Sequence, residues 1–132
     1  MCTIIHFPVI QDIRGNLTFL QHPDQLPFAA KRIFWSYDIP GGEVAGGHAF
    51  RSQEEVIIAL SGSFDVVVTN SDGSIEKFSM KRSTYGLYVP AKTWRHLENF
   101  STNALSLHVA SRKFSEDDYI KDFKSFCNEK KG

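Results

Sequence analysis

Little cysteine and no excess charge of either sign mark this 132-residue chain. Its two cysteines, Cys2 and Cys127, lie at opposite ends and make no metal-ligand spacing. A disulfide-stapled scaffold and a zinc knuckle are therefore not expected, and both thiols are read as reduced. Fifteen Lys and Arg balance fifteen Asp and Glu. That balance removes the electrostatic footprint of a general nucleic-acid binder, while a few Arg or Lys can still grip one or two phosphates. No apolar run reaches the length of a membrane span, and the opening residues lack the basic-then-apolar order of a secretory leader. No membrane or nucleic-acid partner is expected, and the expected location is the cytoplasm. Repeats, low-complexity tracts and linker-like breaks are also absent, so residues 1–132 are read as one domain.

What the chain does have is core-forming material. Hydrophobic residues make up 42% and aromatics 13%, with eleven Phe, enough for a folded core without staples. Most of it reads as short strands between turn residues. Lys31–Asp38 is aromatic-rich, Glu55–Leu60 is a short apolar run closed by Ser61-Gly62-Ser63, and Phe64–Thr69 follows. Asn70-Ser71-Asp72-Gly73 then signals a hairpin, because Asp-Gly tolerates positive φ. Ile75–Met80 alternates with Ile75 and Phe78 out of phase, which predicts a bulge. Gly86–Val89 ends at Pro90. Ala104–Ala110 places Leu105, Leu107 and Val109 on one face and Ser106 and His108 on the other. A single helix is expected at the C-terminal end, opened by a capping-box-like Ser115 and Asp118. Tyr119, Ile120, Phe123, Phe126 and Cys127 recur through it at helical spacing, and Lys124, Lys130 and Lys131 lie toward its end. The pattern predicts an all-β sandwich or jelly-roll barrel with a C-terminal α-helix.

Residues Gly42–Gly62, GEVAGGHAFRSQEEVIIALSG, resemble the first cupin motif, with Gly42, His48, position 50, Glu55 and Gly62 in its frame. Pro90, Lys92, Arg95 and Asn99 fill the frame of the second motif. A metal-binding cupin takes two histidines and the glutamate from the first motif and one histidine from the second. Here Phe50 and Arg95 stand at two of those places. Phe has no donor atom, and Arg stays protonated and repels a dication. His48 and Glu55 alone fall short of the three protein ligands a catalytic metal usually keeps, so no metal site is expected. His96 is no substitute, because one residue along a strand points to the opposite face.

Within the cupins the chain resembles the dTDP-4-keto-6-deoxyglucose 3,4-ketoisomerases. The likeness runs through Asp12-Ile13-Arg14-Gly15, Pro27-Phe28, Lys31-Arg32-Ile33-Phe34, Gly47-His48-Ala49, Glu54-Glu55-Val56, Leu60–Ser63, Gly86–Val89, Trp94 and the tail Ser115–Phe126. It departs at Phe50, where many members carry a second His, and at Ala45, where many carry Arg. The resemblance implies a metal-independent homodimeric cupin of bacterial surface-sugar biosynthesis. Such an enzyme moves a keto group between C4 and C3 of a dTDP-linked keto-deoxy sugar and needs no cofactor. Two rival readings remain open at this point, a dTDP-sugar epimerase and a non-catalytic nucleotide-sugar-binding cupin.

The residues suit that chemistry. Removing a hydrogen next to a ketone requires a base poised near neutral pH, and His48 supplies one. Arg95, at an inward-facing ligand position, stabilises the oxyanion or holds a sugar hydroxyl. Tyr37 is the candidate proton partner. Arg14 is read as a diphosphate or sugar clamp, since a guanidinium binds phosphate oxygens bidentately. Arg32 and Arg51 are read either as further substrate contacts or as solvated surface charges. Of Trp35 and Tyr37, one packs in the core and the other stacks on the thymine ring. Asp12 assists proton transfer or caps a turn. Tyr88, Trp94, His6, His22, His96 and His108 are read as structural.

Overall fold

The computed structural model describes residues 1–131, and among them twelve strands and one α-helix follow in order. The strands are β1 (Thr3–His6), β2 (Val9–Asp12), β3 (Gly15–Thr18), β4 (Arg32–Ser36), β5 (Ala45–Phe50) and β6 (Glu55–Ser61). They continue as β7 (Phe64–Thr69), β8 (Ile75–Met80), β9 (Tyr85–Val89), β10 (Trp94–Glu98), β11 (Leu105–Ala110) and β12 (Tyr119–Ile120). The helix α1 spans Phe123–Lys131.

Two five-stranded antiparallel sheets, β1-β9-β6-β11-β4 and β12-β5-β10-β7-β8, face each other as a jelly roll. The sheets are not closed into a continuous barrel. Alternation puts Ile57, Ala59, Leu87 and Val89 of the first sheet against Phe64, Val66, Val68, Met80 and Leu97 of the second. Each of these side chains larger than alanine contributes about 1.5–3 kcal/mol on burial. A second cluster lies on the outer side of the first sheet. There Phe7, Leu26 and Phe28 cover Val56, Ile58 and Val109, so β6 is buried on both faces. That explains why it reads as an unbroken apolar run rather than an alternating one. Cys2 and Cys127 are free thiols, and burial pushes the Cys2 pKa up to about 11.

Two expectations need correction. The β7–β8 hairpin runs from Phe64↔Met80 to Thr69↔Ile75 with no break in register, so no bulge forms there. The helix begins at Phe123, not Ser115: residues 116–118 make a single 3-10 turn, and Ser115 makes no side-chain cap bond. Asp118 is buried instead, accepting from the backbone N–H groups of Ser52 (2.9 Å) and Gln53 (3.0 Å) and from Arg112 (3.0 Å). That anchor holds Tyr119–Ile120 extended against Phe50 and Ala49 of β5. α1 follows and packs Phe123 and Phe126 on Trp94, with ring centroids 5.4 and 5.8 Å away.

Candidate active site

β5 and β10 are the strands that aim the site. Arg95 pairs directly with His48, and two residues along Leu97 pairs with Ala45, so β5 carries one extra residue between them. The bulge falls at Gly46-Gly47, where Gly46 has φ +74°. A Cβ on Gly46 would lie 3.4 Å from Cε1 of His48. Glycine there supplies the left-handed backbone and keeps the space beside the imidazole open.

His48 and Arg95 line a cleft of about 210 Å³ with Phe34, Ser36, Ala45, Gly46, Glu55, Leu97 and His108. Arg95 is buried and forms an ion pair with the equally buried Glu55, donating from Nη2 to Oε2. Gln53 donates to the same oxygen at 3.2 Å, and Nδ1 of His108 lies 2.9 Å from Oε1. Nε2 of His108 lies 3.1 Å from the Ser106 hydroxyl, and its ring stacks on Phe34 at 4.5 Å. The Arg95 guanidinium sits 4.7 Å over the Phe50 ring. The two departures from a metal-binding motif are thus in contact with each other. Both carboxylate oxygens of Glu55 are engaged by protein donors, so these residues do not fit a bound cation. Among the described residues no group of three or more His, Cys, Asp or Glu side chains is gathered for a metal.

Electrostatics follow from this packing. Burial works to raise the Glu55 pKa, but the Arg95 guanidinium and the His108 bond overcome it and hold the carboxyl ionised, at about 2. His48 is lowered as well, below the near-neutral value expected of it from sequence: burial, then the charge of Arg95, bring it to about 4 and hold the ring uncharged. Its ring meets Phe50 edge-on at 4.8 Å and Tyr119 at 5.2 Å. The tail strand β12 therefore forms one wall of the imidazole's surroundings.

Of the candidate catalytic and substrate-binding residues read from the sequence, His48 and Arg95 are brought together in the cleft, with Glu55 of the motif frame beside them. Arg32 stands behind it, donating to Gln53 at 3.1 Å and stacked over Phe34 at 4.8 Å. Trp35, on the outer side of β4, and Tyr37, just past its end, are 55% and 62% exposed, so neither packs in the core and Tyr37 is not brought to the cleft. Arg51 is not a cleft residue but an exposed charge with protein partners. It donates to both carboxylate oxygens of Glu129 at 3.0 Å and to the carbonyls of Asp117 and Tyr119, clamping the tail to β5. Asp12 and Arg14 pair with each other at the tip of the β2–β3 hairpin, where Asp12 caps the turn by accepting from the Arg14 N–H at 3.0 Å.

Sequence reasoning missed His108, and with it Ser106 and Gln53. A signal was present: two polar side chains alternating with Leu105, Leu107 and Val109 on one strand, where an outward polar face was only one option. Ser106 and His108 are in fact the inward, buried pair, facing the cleft beside Glu55.

Residues 1–131 match the family described as FdtA, WxcM-like, C-terminal. A TDP-4-oxo-6-deoxy-alpha-D-glucose-3,4-oxoisomerase of Aneurinibacillus thermoaerophilus is 32% identical over 124 residues, covering 93% of this chain and 88% of that protein. Among solved structures, a 3,4-ketoisomerase from Helicobacter canadensis superposes with a TM-score of 0.95 at 31% identity, covering 99% of this chain and 98% of the other. The sugar 3,4-ketoisomerase QdtA of Thermoanaerobacterium thermosaccharolyticum, solved in complex with TDP, gives a TM-score of 0.95 at 26% identity over 98% and 94% of the two chains.

Proposed function

Because the chain belongs to the FdtA family, WxcM-like C-terminal, we infer that it is a TDP-sugar 3,4-ketoisomerase. The observation that carries the mechanism is the register that sets His48 opposite Arg95 across β5 and β10, both facing one cleft. His48 is the base. It takes the C3 hydrogen of a TDP-linked 4-keto-6-deoxyhexose, the C–H electron pair forms the C3=C4 double bond, and the carbonyl pair moves to O4. The resulting enediolate is stabilised by the positive charge of Arg95, held in place by Glu55. A proton returns to C4, the O3 hydroxyl gives up its proton as O3 becomes the carbonyl, and O4 is protonated. Atoms and electrons balance without an oxidant or a reductant.

The nucleotide reaches beyond the cleft. Arg14 keeps an exposed guanidinium on its hairpin and serves as the diphosphate contact, while Arg32 supports the sugar end through Gln53. The functional unit is a homodimer. The β2–β3 ribbon pairs with no other strand, Ile10 and Leu17 on it are each 56% exposed, and Ile33, Trp35 and Leu60 are exposed on the outer side of the neighbouring sheet. An isolated two-stranded ribbon is marginal in water. A second copy of this chain is the occupant that covers it.

The test is His48→Asn. That variant is expected to lose interconversion of the 4-keto and 3-keto sugars while retaining dTDP binding by thermal shift. Turnover at the wild-type rate would overturn the assignment of the base, and no turnover by the wild type would overturn the isomerase reading itself.

A further inference from the structure

β11 supplies a second imidazole to the cleft, at a place the first motif does not predict. His108 is 7% exposed, directly opposite Phe34 on β4 and Ile57 on β6, with its ring parallel to Phe34 within 6°. Two roles are open to such a residue: it exchanges protons with the sugar, or it holds other groups. The hydrogen bonds decide between them. Glu55 is ionised and accepts only, so Nδ1 of His108 donates to Oε1. Nε2 is occupied by the Ser106 hydroxyl, and Ser106 has no exposure. Both ring nitrogens are used by the protein, which leaves none free for substrate.

Oε2 of Glu55 accepts from Arg95 and Gln53, so Oε1 is the oxygen His108 alone secures. Without that donor one side of a fully buried carboxylate is unmatched, and the carboxylate can turn away from the guanidinium. We propose that His108 is a positioning residue for the isomerase reaction: its Nδ1–H locks the Glu55 carboxylate in the orientation that presents Arg95 to the cleft opposite His48. The proposal rests on the isomerase reading for its reaction and on the geometry alone for its hydrogen bond.

Three variants separate a donor role from a mere packing role. His108→Asn sets an amide N–H where Nδ1 lies. His108→Phe keeps the stack on Phe34 without a donor. His108→Gln sets its amide on the Ser106 side, away from Oε1 of Glu55, and replaces the Phe variant as the one that is donor-free toward Glu55 if that one does not fold. The Phe or Gln variant is expected to lose roughly 30-fold in kcat, about 2 kcal/mol at 1.36 kcal/mol per tenfold, with KM changed less than about threefold. The Asn variant is expected to recover to within about fivefold of wild type, the donor being restored. Donor-free variants within about threefold of wild type would overturn the proposal, and so would an Asn variant as slow as the Phe variant. The bond is also read without substrate, as a slowly exchanging imidazole N–H proton resonance in labelled wild-type protein that the Phe and Gln variants lack. Its absence from the wild type overturns the proposal whatever the turnover. A wild type that shows the resonance but isomerises no TDP-keto sugar overturns the isomerase reading and the positioning role with it, while the hydrogen bond stands.

Discussion

At a pKa of about 4, His48 is uncharged throughout the neutral range, the form a base must have before it takes a proton. The acid limb of kcat/KM is therefore expected near pH 4 and not near 6.5, read from a rate profile with TDP-4-keto-6-deoxyglucose. The same depression has a stability consequence, with its sign fixed by linkage. The unfolded imidazole binds its proton near pH 6.5 and the folded one only near 4, so the contribution is complete above 6.5 and lost as pH falls from there toward 4. Arg95 and Glu55 obey a different rule, because each is buried and needs the other. Arg95→Met leaves a buried, uncompensated carboxylate and is expected to cost about 3–5 kcal/mol in denaturant unfolding. The double variant Arg95→Met, Glu55→Leu removes both charges and is expected to recover most of that loss while remaining inactive. Full stability of the single variant would mean that Glu55 takes up a proton at little cost.

Among the elements, the strands with strong β-formers are legible in the sequence, and the two that carry His48 and Arg95 are not. Glu55–Ser61 and Phe64–Thr69 are rich in branched and aromatic residues and form strands within one residue of the expected bounds, while Ile75–Met80 forms its strand without the expected bulge. Ala45–Phe50 reads AGGHAF, with two glycines and weak β propensity, and becomes a strand through pairing with β10 and β12. β10 reads WRHLE, with Arg95 turned in to the site and His96 and Glu98 paired with each other on the opposite face. The tail departs from its helical expectation for a related reason: Asp118 looks like a cap in sequence, yet the backbone N–H groups it accepts from lie more than sixty residues earlier, at Ser52 and Gln53. Long-range contacts of that kind leave no local periodicity. Motif spacing did locate His48 and Arg95, because the frame fixes register on β5 and β10. The turn after β6 tests the same frame. Gly62 has φ +65°, and a Cβ there would lie 2.8 Å from the Ala104 backbone. Gly62→Ala is expected to lower unfolding free energy by more than about 2 kcal/mol, combining a left-handed penalty with a clash that backbone cannot relieve. A loss below about 0.5 kcal/mol would show that the turn can reshape.

For the molecule as a whole, charge is silent and apolar surface speaks. With acidic and basic residues equal in number, the homodimer proposed above is not driven by opposite net charges, and the exposed ribbon and the outer side of β4 are the apolar surface it would use. Trp35→Glu is expected to shift the sedimentation of the protein from dimer to monomer, and a variant that still sediments as a dimer would move the interface elsewhere. The two tryptophans, placed in opposite surroundings, turn this architecture into its own optical instrument. Trp94 is wedged edge-on among Phe123 and Phe126, so its emission follows the docking of the tail that walls His48. Trp35 faces outward and is more than half exposed, so its emission follows whatever covers that sheet. Replacing either with Phe leaves one tryptophan, and native fluorescence then separates docking of the tail from covering of the outer sheet face without an added dye.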